Sequence, residues 1–468
     1  MPDTSPKSLI VIDLETTGLE PRYDQPVQFA AIRLDSNLVE MENVNWLARP
    51  QNHVIPAPAA LATHGRGIDQ ILSFAVSHYG LMGLIEELAT RWAPAVWLGF
   101  NSLRFDDEFV RHGLYAALRQ PYAMQYHGNR RADIMRASQL ASVLDPGGIE
   151  VPRNGGKATF KLQLLAPANG FSEHDAHDAL GDARAAAHML RIIAANAPST
   201  WALLSSLASK HAVVELLQSN EFVIVVEHFG TAVARPVVPI CPNPEYPTEW
   251  LAIDVTSDPA VLLGLSSDDL AAVFTQQRRR LCRLRTNAMP LVVPATCPGA
   301  VRLLAANIAP GVPARAQLLH ADRGFGERLI RAAALGRREY PKAVNVEDKL
   351  YDGGFFPLRA DQDLMHQFHA ADPEDKLAVL NAMQDDRARQ LGVRVMYNEW
   401  PDALRADERA AMDRDRLARL SASEGPWTSI RKALAGIDKL LPNASPETAR
   451  ILEDYRRYLC GLAVPHAA

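Results

Sequence analysis

The chain has 468 residues, more than a single hydrophobic core usually serves, so two or three domains are expected. Its 48% hydrophobic and 22% charged residues are ordinary for a soluble globular protein, and no run of about 18 apolar residues marks a membrane span. A net charge of −5, from 49 basic and 54 acidic residues, excludes a uniformly basic surface for nucleic acid but not a basic cleft within an acidic average. In chain order, residues 9 to 34 read as two or three strands: the apolar run Leu9 to Ile12, a polar turn, then the strand-like VQFAAIRL. LMGLIEELATRW (81–92) has helical spacing, and AVWLGFN (95–101) returns to a buried strand. DDEFVRHGLYAAL, KLQLLAPANG and DAHDALGDARAAAHMLRIIAANA are helical again. This alternation predicts an α/β layer fold, with a boundary where the last of these helices ends near 196–200. Residues 222–350, with FVIVVEHF and PLVVPATCPG, predict a small β-containing domain with some helices. From about 360 the chain is charged and helix-periodic, with no internal repeat.

Three further classes are set aside by motif. The N-terminal MPDTSPKSLIVID lacks a basic region followed by an apolar stretch and cleavage site, so no secretion signal is expected. Cys241, Cys282, Cys297 and Cys460 form no C-x-x-C pair, which argues against a zinc site or disulfide framework and for reduced thiols in a cytoplasmic protein. Gly155-Gly156-Lys157-Ala158-Thr159 lacks the first glycine of a phosphate-binding loop, so NTP-driven chemistry is not expected.

The stretch VIDLETTG (11–18) places Asp13 and Glu15 at the end of a buried strand. Side chains alternate along a strand, so the two carboxylates share a face about 6.5 Å apart. They repel and lose hydration unless something compensates, and their spacing suits oxygens reaching toward one hard cation or a pair. The plainer reading is a strand that ends at Ile12 with Asp13 solvated. Two later stretches repeat the pattern: Asn101-x3-Phe105-Asp106 after the strand AVWLGFN, and His177-x4-Asp182 at a helix start. Asp107 competes with Asp106, since both follow Phe105, and His174 competes with His177. Only His177 has a four-residue gap to an aspartate that leads into the apolar helix, which favours it over His174, while the residues alone leave Asp106 and Asp107 open.

Asp-x-Glu, Asn-x3-Phe-Asp and His-x4-Asp in this order resemble the three exonuclease motifs of the DEDDh superfamily. PVQFAAIRLDS, GFNSLRFDDEFVRHGLY, PYAMQYH, DIMRAS, ANGFSEHDAHDALGDA, KLYDGGFF and VRVMYNEWPDALRADERAAM are similar more narrowly to the bacterial exonuclease I family. That resemblance implies an RNase H-like exonuclease domain at 8–195, an SH3-like domain at 199–350 and a helical C-terminal domain at 353–464. It implies a monomeric 3′→5′ exodeoxyribonuclease that degrades single-stranded DNA to 5′-mononucleotides in repair and recombination. Asp13, Glu15, Asp106 and Asp182 would hold two Mg2+ ions, with Mn2+ as a substitute, and His177 would be the general base. Glu15 and Lys161 would meet the terminal nucleotide. Arg111, Tyr122, Tyr126 and Arg136 would contact the strand, cations on phosphates and rings under bases.

The chain departs from the family where Lys161 replaces an arginine, in a shortened loop at 127–132, and at Asp145. That last position is basic where the family takes the C-terminal tail of single-stranded DNA-binding protein, a second implied partner. Arg278, Arg279, Arg280, Arg283 and Arg285 could add a basic wall, although such runs are commonly a solvated helix face. The motifs do not separate ribose from deoxyribose, so a 3′→5′ exoribonuclease is the rival reading, and a catalytically silent single-strand-binding scaffold is the other.

Overall fold

Strand β1 (Ser8–Thr16) has Ile10, Val11 and Ile12 all buried to within 1% of completely, because both of its faces are covered. It pairs antiparallel with β2 (Pro26–Leu34), which pairs antiparallel with β3 (Glu40–Arg49). On its other side β1 pairs parallel with β5 (Ala95–Gly99), and β5 with β6 (Arg130–Asp133). With β4 (Val76–Ser77) on the far edge, the mixed six-stranded sheet runs β4-β3-β2-β1-β5-β6. The structure, a computed structural model, describes residues 8–172, 177–228, 232–276, 280–307, 311–338 and 340–463.

The helices α1 (Pro58–His64), α2 (Ile68–Leu72), α3 (His78–Arg91), α4 (Asp106–Ala116), α5 (Ile134–Leu144), α6 (Leu162–Ala168), α7 (Ala179–Asn196) and α8 (Pro198–Leu207) surround this sheet. Alternation along β1 assigns its two faces. Ile10 and Ile12 pack with Leu81, Ile85, Phe109 and Leu114 of α3 and α4. Val11 packs on the opposite side with Leu140, Ala183 and Leu190 of α5 and α7. Asp13 and Glu15 follow Val11 in phase, so they point to the α7 side.

The second sheet is antiparallel, in the order β12-β11-β10-β9-β13. Its strands are β9 (Val223–His228), β10 (Ala232–Pro242), β11 (Glu249–Asp254), β12 (Leu281–Arg285) and β13 (Val292–Pro294). One face, through Val225, Val237 and Val292, continues the core of α5, α7 and α8, while the other buries Val238, Leu251 and Ile253 under helices including Phe325–Leu335. The expected boundary near 196–200 is therefore one of connectivity: α7 ends at Asn196, α8 begins at Pro198, and the core runs through.

From Val346 on, the chain is helical, and it returns to the first sheet's domain in two places. Tyr115 and Leu118 at the end of α4 join a core with Phe356, Phe368 and Val395. Val27, Leu61 and Ile71 join another with Ile437, Leu452 and Tyr455. Polar ties accompany both: the Tyr115 hydroxyl donates to the carbonyl of Val346 at 2.8 Å and the Tyr455 hydroxyl to that of Pro56 at 2.7 Å. Buried Glu347 receives both Arg394 and Arg419. Among the described residues no helix is long and apolar enough to cross a membrane.

Candidate functional site

The acidic end of β1 lies where three elements converge. Gly99 ends β5 beside it, and a Cβ there would stand 2.9 Å from the carbonyl oxygen of Ile12 and 2.6 Å from the Cβ of Ser102. Only a glycine lets the short turn Ser102–Arg104 fold back over β1 and bring the start of α4, with Asp106, to it. Opposite, Asp178 caps the N-terminus of α7 by accepting from the Gly181 amide, and Asp182 sits in the first turn, where a carboxylate suits the helix dipole.

Ligand atoms of Glu15, His177 and Asp182 lie within 4.8 Å of one another. The backbone N–H of His177 donates to Asp182 Oδ2 at 3.2 Å, and Gln163 Nε2 stands 3.2 Å from His177 Nε2. Asp13 joins this group electrostatically: burial first, then Asp106, Asp182 and Glu15, push its carboxyl well above the ordinary range. Burial also raises Glu15 to about 8, with Asp182 adding to it and the Arg66 guanidinium opposing. Asp106 is raised to about 8 by burial, with Asp107 and Asp133 contributing. Asp107, its neighbour in sequence, instead forms an ion pair with Arg131 on β6. The two acids that follow Phe105 therefore have different environments, one paired with a cation and one within the carboxylate cluster.

Such a cluster suits bound positive charge. Carboxylates gathered without an equal number of cations are a donor set that suits a hard divalent ion, and burial, with their mutual repulsion added, raises the pKa values of Asp13, Glu15 and Asp106 when no cation is bound. A stability prediction follows. Glu15 and Asp106 have folded values of about 8 against ordinary values of 4.5 and 3.8, so their ionised forms destabilise the metal-free fold. The folded state then binds more protons than the unfolded one, and stability rises as pH falls from 8. In EDTA, the melting temperature is expected to be higher at about pH 7 than at about pH 9, a range above the histidine titrations. Glu15→Gln is expected to raise the pH 9 value by several degrees and to flatten the slope. A slope identical in wild type and Glu15→Gln would refute the electrostatic account.

The remaining residues singled out in the sequence are placed as follows. Tyr126 is 40% exposed and Tyr122 is half-buried. Lys161 is exposed at the N-cap of α6, in the turn that also carries Gln163. Arg111 is 8% exposed and occupied: it pairs with Glu108, donates to the Tyr351 hydroxyl at 2.7 Å and lies over the Tyr122 ring. Arg136 donates to the carbonyl of Met289 at 3.0 Å. Asp145 accepts from the Ser199 amide and from the Thr200 amide and hydroxyl, which fastens the start of α8. Arg280 and Arg283 donate to the carbonyls of Asp258 and Ala333, whereas Arg278, Arg279 and His174 lie outside the described residues.

Three polar residues that motif reading passed over stand beside the cluster. Gln28 on β2, 1% exposed and opposite Glu15 in the register, donates to Asp178 Oδ1 at 2.7 Å and accepts from the Ala179 amide. Arg66 pairs with Asp178 at 3.0 Å. His64 is buried, and burial together with Arg66 lowers it to about 4. A glutamine inside the apolar VQFAAI was a visible signal, but nothing local distinguishes Arg66 or His64.

An exonuclease family model matches residues 10–190, and a model of the exonuclease I C-terminal domain matches residues 344–462. The chain is 32% identical to exodeoxyribonuclease I of Escherichia coli K12 over 267 residues, 55% of this chain and 56% of that protein. It is 26% identical to exodeoxyribonuclease I of Haemophilus influenzae over 408 residues, 82% of this chain and 84% of that one. Among solved structures, exonuclease I of Methylocaldum szegediense superposes with a TM-score of 0.86 at 27% identity, covering 98% of this chain and all of that one. At TM-scores of 0.84 and 0.82 the fold also matches E. coli exonuclease I with a dT13 oligonucleotide and an exonuclease I complex with SSB-Ct, at 24% and 23% identity. The first covers 97% of this chain and 99% of its own, as does the second.

Proposed function

Because the chain belongs to the exonuclease I family, with an exonuclease domain ahead of that family's own C-terminal domain, we propose that it removes nucleotides from the 3′ end of single-stranded DNA. It acts as a monomeric cytoplasmic phosphodiester hydrolase that releases 5′-mononucleotides in repair and recombination. The observation that carries this reading is the convergence of Asp13, Glu15, Asp106 and Asp182, from three separate elements, beside His177. These four carboxylates hold two Mg2+ ions, with Mn2+ as a substitute. When bound, the metals activate water and offset charge on the attacking and leaving oxygens. His177 takes the proton of the attacking water at Nε2. Gln163 stands 3.2 Å from that atom and gives way to the attacking water when it approaches the nitrogen's single lone pair. Lys161 contacts the terminal nucleotide together with Glu15.

The domain division at 8–195, 199–350 and 353–464 is retained, with the second sheet as the SH3-like unit. Tyr126 and Tyr122 supply stacking faces on the strand's path, and Arg111 and Arg136 border it. Their present partners change what their removal should do. Tyr126→Ala is expected to weaken binding of an oligo-dT by about 1–3 kcal/mol with an unchanged melting temperature. Arg111→Ala should instead lower the melting temperature, because Glu108 and Tyr351 lose their shared partner. Fluorescence anisotropy and thermal unfolding of both variants check this, and the opposite assignment of effects would overturn it. The C-terminal tail of single-stranded DNA-binding protein is kept as a second partner, to be held by residues other than Asp145, whose carboxylate is already used by α8.

The test is incubation of 5′-labelled single-stranded DNA and RNA of one sequence with the protein and Mg2+. A ladder shortening from the 3′ end of the DNA is expected. Cleavage confined to RNA would establish the exoribonuclease reading, and binding without cleavage of either would establish the silent scaffold.

A further inference from the structure

His177 has a φ of 73°, in the left-handed region that disfavours a residue bearing a side chain. Its backbone bond to Asp182 stays within the turn, and its ring meets Gln163 of α6 at 3.2 Å. The tie to the sheet is at the next residue. Asp178 Oδ1 accepts from Gln28 Nε2 at 2.7 Å and from Arg66 Nη2 at 3.0 Å, while Oδ2 caps α7. Gln28 is buried in β2 and bonds in turn to Asn45 of β3, so this contact is set by the sheet. Arg66 comes from another direction. Gly65, with φ 67°, ends α1 in the left-handed conformation, and the Arg66 N–H bonds His64 Nδ1 at 3.2 Å, so the connection to α2 is fixed before the side chain leaves it.

We propose that Arg66 is a positioning residue for the general base: through Asp178 it holds the left-handed turn of His177 at the carboxylate cluster, with Gln28 as the fixed second contact. Three observations support this. The Arg66 side chain is 14% exposed and that of Asp178 37%, so the pair lies at the rim of the cluster, where its loss moves a side chain while costing little stability. Among the described residues its Nη1 is buried without a hydrogen-bond partner, so Asp178 is the contact that directs the guanidinium. The Arg66 guanidinium also opposes the rise in the pKa of Glu15, so its charge stands beside the carboxylates. Arg66 thus serves the reaction by geometry, without a proton transfer of its own.

This inference rests on the reading of His177 as the base, and the experiment separates the two. Arg66→Ala, Arg66→Lys and Asp178→Asn are made in the wild-type and His177→Ala backgrounds. Steady-state kinetics on single-stranded DNA are measured with melting temperatures and with DNA affinity in EDTA. Arg66→Ala is expected to lower kcat about tenfold to a hundredfold with KM, melting temperature and affinity unchanged. Arg66→Lys should recover part of the loss, since one N–H to Asp178 Oδ1 suffices. In the His177→Ala background, Arg66→Ala should change kcat less than about twofold, because its route to the chemistry is gone. An equal loss in both backgrounds with a raised KM would overturn the proposal in favour of a direct phosphate contact at Nη1. A loss that follows the melting temperature would overturn it in favour of a purely structural pair. Should His177→Ala keep wild-type kcat, the base assignment itself falls, and that result is read independently of any Arg66 variant.

Discussion

Asp106→Ala is expected to reduce hydrolysis of single-stranded DNA by orders of magnitude, and Asp107→Ala to leave the chemical step largely intact. The two residues are adjacent and both buried, at 3% and 6% exposure, so position alone does not separate them. Their partners do. Arg131 neutralises Asp107, whereas Asp106 sits in the cluster of like charges around Asp13. Removing Asp107 strands the nearly buried Arg131 cation, a loss on the order of 3–5 kcal/mol of stability. Removing Asp106 relieves repulsion, so the metal-free Asp106→Ala protein should melt higher than wild type while being inactive. Asp13→Ala, Glu15→Ala and Asp182→Ala should match it in activity, as should EDTA, with added Mg2+ restoring only the wild type. Kinetics and thermal unfolding on the Asp106 and Asp107 pair decide the matter. A dead, heat-stable Asp107→Ala beside an active Asp106→Ala would reverse the assignment, and activity that survives complete chelation would remove the metals from the mechanism.

His177→Ala is expected to lower kcat by about 10²–10⁴, the range for loss of a general base, with KM and metal affinity little changed. Metal affinity should persist because the carboxylates remain. An alternative base beside the cluster is His64, which feels the charge of His177. Burial, with the Arg66 guanidinium, holds His64 at about 4, too weak a base to take a proton efficiently at neutral pH. His64→Gln should therefore be mild, as should His174→Ala. Single-turnover rates on one oligonucleotide, with metal binding followed by calorimetry, test the set. A larger loss in His64→Gln or His174→Ala than in His177→Ala would transfer the role.

Much of this architecture was legible along the chain. Strand β5 was readable as a short apolar run, and α7 by its apolar period and the acid at its start. The order of Asp13, Glu15, Asp106, His177 and Asp182 was readable because each follows a local pattern, a strand end or a helix start, that physical periodicity imposes on sequence. Strand β3 was harder: EMENVNWLAR alternates half-exposed and exposed positions at an acidic, amide-rich edge, and so lacks the apolar run that marked its neighbours.

What the sequence by itself determined, then, is which acids end which elements, since that depends on residues a few positions apart. The tertiary structure alone decided which of them are neutralised and by what. Arg131 stands 24 positions beyond Asp107, Gln28 is 150 before Asp178, and Arg66 is 112 before it. The same holds for Asp145, whose carboxylate is taken up by Ser199 and Thr200 more than fifty positions on. Contacts at such separations leave no period in the chain. They are set by how the sheet brings β2, the turn after α1 and the start of α7 to one place, and a charge is paired or left in the cluster according to that meeting.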